Sequence, residues 1–232
     1  MSFRSIGKKI THACPNIYFA GAKTGTPVYW TRRLLGFEYE KTGKKIARLY
    51  EKYGNAVVGK EPESAEYAYR IAAKYAPRWK AKLKGKEAFA LEKRADAYEA
   101  RAAYFEGMHD DFFRQDMTGE DSYKSEFVEK LEKGSRINVR RSQAYVLGVA
   151  AECLRLAASI YDDLGKTARS VLERAYKDVT RAEFILKNNL DFEQGQGFYP
   201  VMGLGTFDIV TVDQVSNLKR AIGKMIEETE KR

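Results

Sequence analysis

Cysteine and histidine are almost absent: two of each occur in 232 residues. Cys14 and Cys153 are too few for a disulfide framework. No charged, apolar, small-residue secretion signal opens the chain, so an intracellular setting is expected. With only His12 and His109, most metal and acid–base sites have no ligands to draw on. A di-iron bundle needs two Glu-x-x-His motifs, and only Glu106-Gly107-Met108-His109 fits. Cys14, His12 and Cys153 lack paired zinc spacing, and Cys153 reads as a small buried hydrophobe. Gly165-Lys166-Thr167 resembles the end of a phosphate loop, but Ile160 stands where that motif needs glycine. No cofactor or metal is therefore expected, and the chain does not read as an enzyme. The cluster Glu106, His109, Asp110 is the one catalytic alternative.

A long uninterrupted apolar run is also missing. The most apolar stretch, 144–161, carries Glu152 and Arg155, and a charge at mid-membrane costs about 2.5 kcal/mol or more. No membrane span is expected. Asparagine and glutamine together number eleven, the usage of chains that avoid thermolabile amides at high temperature, which points to a hyperthermophilic source.

The most informative scarcity is of acids near the N-terminus. The net charge is +9, and residues 1–60 hold twelve Lys/Arg against three Asp/Glu, so this quarter carries the whole excess. Arg4, Lys8, Lys9, Lys23, Arg32 and Arg33 all precede the first carboxylate, Glu38. A second acid-free run lies between Glu66 and Glu87 and contains Arg70, Lys74, Arg78, Lys80, Lys82, Lys84 and Lys86. Phe3, Tyr18, Phe19, Tyr29, Trp30 and Trp79 are interleaved with these cations. Phosphates call for Lys and Arg, and aromatic rings can pack on sugars or on neighbouring chains. The competing reading is a solvated basic helix face and an arm folded over its own bundle. Residues Arg4, Lys8, Lys9, Lys23, Arg32, Arg33, Lys44, Lys45, Arg78, Lys80, Lys82 and Lys84 form the expected nucleic-acid surface. Gly21-Ala22-Lys23-Thr24-Gly25-Thr26 offers backbone N–H groups that could hold a phosphate oxygen.

Residues 1–36 mix glycine, proline and threonine without helical or strand periodicity, so an extended basic arm is expected, separable from the body. Residues 37–232 read as one helical domain. A helix from Phe37 should stop at Gly54 and Asn55, and Pro62 should open the next. Pro77 should kink or end that one, Gly85 should interrupt the segment after it, and one long helix should cover 87–114. A short helix over 121–133 should stop at Gly134. Residues 139–164 read as the core helix, Gly165 as a separator, 166–190 as an amphipathic helix, and 212–230 as a last helix begun at Thr211 or Asp213. Residues 192–211 read as a glycine-rich apolar loop. The fold class is all-α: an antiparallel bundle of about six to seven helices with a basic arm.

In layout, a basic arm followed by a small helical body, the chain resembles the coat proteins of archaeal filamentous viruses. The likeness is architectural and assigns a role to no residue. It implies a non-enzymatic structural protein that self-assembles with copies of itself and coats or packages nucleic acid inside a virion. The expected partner is duplex DNA bound without sequence preference, since no recognition-helix motif is present. The alternative is a helical adaptor subunit of a larger nucleoprotein complex.

Overall fold

The computed structural model describes residues 16–35, 40–118, 126–188 and 211–231, the side chains of 16, 17, 109 and 111–138 excepted. Among the described residues there are seven α-helices and no strand. These are α1 (Asn16–Leu34), α2 (Glu40–Val57), α3 (Pro62–Tyr75), α4 (Lys80–Thr118), α5 (Glu126–Asp163), α6 (Arg169–Asn188) and α7 (Val212–Glu230), with a 3₁₀ turn at Pro77–Trp79. The chain is all-α, as its periodicity predicts. Two compact units divide it, one of Met1–Arg94 with Leu156–Thr167 and one of Ala95–Arg155 with Ala168–Arg232.

The expectation of an extended arm over 1–36 is corrected for Asn16–Leu34, which is helical; residues 1–15 and 36 lie outside the described residues. Ala22 and Tyr29 are 0% and 4% exposed, so α1 is part of the core rather than a separable segment. The small residues that hid its periodicity are contact points. A methyl on Gly25 would lie 3.0 Å from Ile46 Cγ1, so the glycine lets α1 approach α2. Thr26 Oγ1 donates to the Ala22 carbonyl at 3.1 Å, and the helix continues past Pro27.

α2 packs antiparallel between α1 and α3 through two further glycines. A methyl on Gly43 would lie 2.5 Å from the Tyr75 carbonyl oxygen and 3.0 Å from the Tyr29 ring. On Gly54 it would lie 2.6 Å from Tyr69 Cε1. Alanines 47, 65, 68 and 72 complete these contacts, and tyrosines fill the space left: Tyr29, Tyr50, Tyr53 and Tyr69 are all buried. Tyr29 meets Tyr75 edge-on at 4.9 Å and 84°, a favoured aromatic geometry. Tyr69 donates to Asn55 Oδ1 at 2.9 Å; burial, and then the charge of Glu51, push its hydroxyl up to about 12.

Local signals account for most helix ends. Pro62 opens α3 at a position whose N–H would have no helical partner. Gly165 has φ +66, and two bonds close α5 around it: Lys166 N–H to the Tyr161 carbonyl at 2.9 Å and Gly165 N–H to the Asp162 carbonyl at 2.9 Å. This pairing is the Schellman motif. Thr211 caps α7 in a box with Gln214.

Three expected stops are absent: α2 runs through Gly54 to Val57, α4 through Gly85, and α5 through Gly134. One interior glycine costs a helix about 1 kcal/mol. Around Gly85 the burial of Leu83, Ala88 and Ala90 exceeds that. The expected glycine-rich loop at 192–211 lies outside the described residues apart from Thr211. Val139–Asp163 of α5 is long and apolar enough to cross a membrane, but 67% of its most apolar window is buried within the fold. Glu152 in that segment is bonded to Arg155 through two contacts of 2.7 Å.

In the second unit α6 turns Leu172, Ala175, Val179, Ala182 and Ile185 inward, and Asp178 occupies the same stripe. Asp178 is 8% exposed. Burial pushes its carboxyl up to about 7, reinforced by a hydrogen bond with Glu99 and by that group's charge, against the opposing charges of Arg174 and Lys177. Arg174 meanwhile holds Glu99 at 2.6 Å and Asp96 at 2.5 Å. On the other side of α6, Glu183 accepts from Lys187, Lys219 and Ser216, each at 2.7 Å. Those bonds, Lys187 first, hold it down to about 2.

Two predictions follow from this packing. Overpacking costs about 1–3 kcal/mol, which outweighs the gain of about 1 kcal/mol from alanine in a helix. Gly43→Ala and Gly54→Ala should therefore lower the Tm by several degrees, at roughly 2–4 °C per kcal/mol. Gly107→Ala, where a methyl meets nothing within 4 Å, should leave the Tm unchanged or raise it; thermal denaturation followed by circular dichroism compares the three.

The second concerns Asp178, which keeps its proton up to about 7 in the folded chain against 3.8 ordinarily. Between those values the folded chain binds more protons than the unfolded one, so stability falls as pH rises through this window. Asp178→Asn removes the titration, and its Tm relative to the parent should rise steadily from pH 4 to pH 8. Parallel Tm curves would refute the shared proton.

Candidate nucleic-acid interface

Nine of the twelve residues of the expected basic surface fall into three groups. Arg4, Lys8 and Lys9 lie outside the described residues. Lys82, Lys84 and their neighbour Lys86 are held by the protein's own acids. Lys82 and Lys86 reach Glu51 Oε1 at 2.7 Å and 2.9 Å, and Lys84 reaches Asp163 Oδ2 at 3.3 Å. Burial raises the Glu51 carboxyl, but the bonds from Lys82 and Lys86 outweigh it and keep the group low. The third group, Lys44, Lys45, Arg78 and Lys80, forms no ion pair among the described residues, and neither does Lys74, which lies outside the expected surface.

Two residues of the acid-free start take other roles. Lys23 lies 4.8 Å over the Phe19 ring, one turn back on α1. Arg32 donates to Thr42 Oγ1 at 3.4 Å, tying α1 to α2. The proposed N–H cradle at 21–26 is overturned: the segment is inside α1, where backbone N–H groups serve the helix.

Of the remaining expected cations the structure gathers Arg33, Lys44 and Arg78 into one cavity in the first unit, and Lys45 and Lys80 do not line it. Arg33 from α1, Lys44 from α2, Lys74 from the end of α3 and Arg78 from the 3₁₀ turn line about 220 Å³ together with Tyr29, Tyr75, Ala76, Pro77, Trp79 and Glu40. The close approach at Gly43 positions it, because Tyr29 and Tyr75, both packed on that glycine, become its aromatic wall. Ala76, at φ −132 and ψ 76, breaks the helix before Pro77 and turns Arg78 and Trp79 to its rim. Arg48 sits 5.5 Å over the Trp79 ring and is not among the lining residues. Arg33 likewise lies 5.3 Å over Trp30.

The charge balance decides what the cavity takes. The C-terminus of α3 contributes roughly half a negative charge, and Glu40 one full negative charge. Four cations face them, so the surplus is positive and suits a phosphate ester. Lys74 and Tyr75 were not among the residues expected for the surface, whereas Tyr29 and Trp79 were among the aromatics interleaved with it. Lys74 lies in the acid-free run and was within reach of a charge count, whereas the wall depends on the Gly43 contact.

Elsewhere, Glu106 of the catalytic alternative is bound by Arg181, and the side chain of His109 lies outside the described residues. Among the described residues no group of three His, Cys, Asp or Glu is placed to hold a metal ion. Cys153 is buried in α5. No protein-family model matches the chain, and no curated protein or solved structure matches it.

Proposed function

We propose that the protein is a non-enzymatic structural protein that coats or packages nucleic acid, gripping its sugar-phosphate backbone without sequence preference. The observation that carries this reading is the convergence of Arg33, Lys44, Lys74 and Arg78, from four successive elements, on one cavity with a single carboxylate. Cations held close together repel one another, Lys44, Lys74 and Arg78 among them having no ion pair among the described residues, and a polyanion relieves that repulsion. Phosphate contacts position a protein on nucleic acid but carry no base information, which suits a coat.

Self-association is the second half of the proposal. It is supported by Val28, Trp30, Leu34 and Leu35 on and just after α1, which are 49%, 47%, 84% and 64% exposed. Apolar side chains grouped on one short segment beside Arg32 and Arg33 suit contact with a further copy of the chain.

Salt titration of binding tests the first half, because each neutralised phosphate contributes about 0.7 to 0.9 to the slope of log affinity against log salt. The combined change Lys44→Ala, Lys74→Ala, Arg78→Ala should make the slope shallower by roughly 2 to 3, with unchanged helicity. Lys82→Ala with Lys84→Ala should alter it by less than about 1, because those charges serve internal carboxylates. A salt-independent affinity for the intact protein would overturn the proposal. Size-exclusion chromatography with light scattering tests the second half: growth into large particles on adding nucleic acid is expected of a coat, and a discrete complex of fixed stoichiometry marks an adaptor instead.

A further inference from the structure

The cavity holds more than a phosphate requires. A single water needs about 10–15 Å³ of cavity, so 220 Å³ has room for a ring system beside a phosphate group. Its wall is aromatic: Tyr29 and Tyr75 pack edge-on at 4.9 Å, and Trp79 stands at the rim. Arg48 occupies the neighbourhood of the indole without lining the cavity. Glu40 gives the third sign. It forms no ion pair among the described residues and faces the cavity with four cations. A bare phosphate would be repelled by it, whereas an amino or ring N–H group of a nucleobase would donate to it.

Resting on the nucleic-acid reading above, we infer that this cavity takes one unpaired nucleotide of a strand, with its phosphate on the cations, its base against Trp79 and a base N–H donated to Glu40. Every base has a π-face and an N–H donor, so the site is tolerant of sequence. In a duplex both features are consumed, the faces by stacking and the donors by pairing. The cavity therefore discriminates strand state rather than sequence, and the duplex partner expected from composition alone is not the one this site fits best.

The chain has two tryptophans, so a Trp30→Phe background leaves Trp79 as the only indole reporter. A short single strand should quench its fluorescence and saturate. A duplex with the same number of phosphates should quench it less and bind several-fold more weakly. Inorganic phosphate should compete without quenching.

Trp79→Leu should then lower single-strand affinity by roughly 5- to 100-fold, while Trp79→Phe restores most of it and duplex affinity changes little. Circular dichroism confirms that each variant is helical. Unchanged single-strand affinity in folded Trp79→Leu, or binding without any change in indole emission, overturns the unpaired-nucleotide site even where salt-dependent binding persists. Loss of all polyanion binding in the intact protein removes the broader proposal with it.

Discussion

The first unit depends on Gly43 having no side chain. Its Cα faces the Tyr75 carbonyl so closely that a methyl would come within 2.5 Å of the oxygen. That approach sets the spacing of α2 against the end of α3 and against Tyr29 of α1. Because the backbones are near, the core is built from alanines with tyrosines threaded between them rather than from large aliphatics. Tyrosine suits this geometry: its ring fills a narrow gap while its hydroxyl reaches a polar partner, as Tyr69 does at Asn55 and Tyr75 at Thr26, 3.3 Å away. The same approach leaves the end of α3 open beside α2, and the cavity forms there.

The lysines of the second basic run illustrate why a count of charges is not a map of binding. Lys82 and Lys86 share Glu51, whose side chain is 13% exposed; a carboxylate that buried needs compensating cations. Arg94 does the same for α3, with its guanidinium at 3.1 Å from Glu66 and 3.3 Å from Glu63. Lys74 and Arg78, earlier in the same acid-free run, find no such carboxylate. Arg70, a turn earlier on α3, reaches Glu66 at 3.7 Å, so within this one run Lys74 and Arg78 line the cavity while Lys82, Lys84 and Lys86 on α4 turn to internal carboxylates.

What was legible in the sequence follows the same logic. Elements whose apolar residues recur at helical spacing, 139–164 and 212–230 among them, are recognisable because burial wrote the pattern. α1 is not, because its contacts are made by Gly21, Gly25 and Ala22, and small residues signal nearness only once the neighbouring helix is in place. Gly54 and Gly85 read as stops for a related reason: glycine's local cost is visible in a sequence, and the packing that outweighs it is not. Gly165 differs because its left-handed φ is a local requirement. Asp178 was within reach, since it falls on the inward stripe of α6 between Ala175 and Ala182, but its proton depends on Glu99, distant in sequence. Of the candidate site, the cations were visible as charge and Tyr29 and Trp79 as interleaved aromatics, while their convergence with Tyr75 on one cavity was not.

This partition also makes the ionic behaviour of the protein interpretable. Salt screens exposed charges strongly, over roughly 8–10 Å at physiological strength, and buried pairs far less. Internal pairs anchored on Glu51, Glu66 and Glu183, each 13% exposed, therefore hold at ionic strengths where the contacts proposed between the cavity and an external polyanion would have weakened. On that proposal, folding and binding would respond to salt in different ranges. A loss of affinity at moderate salt would then report the cations of the cavity and not a loosening of the helices that carry them.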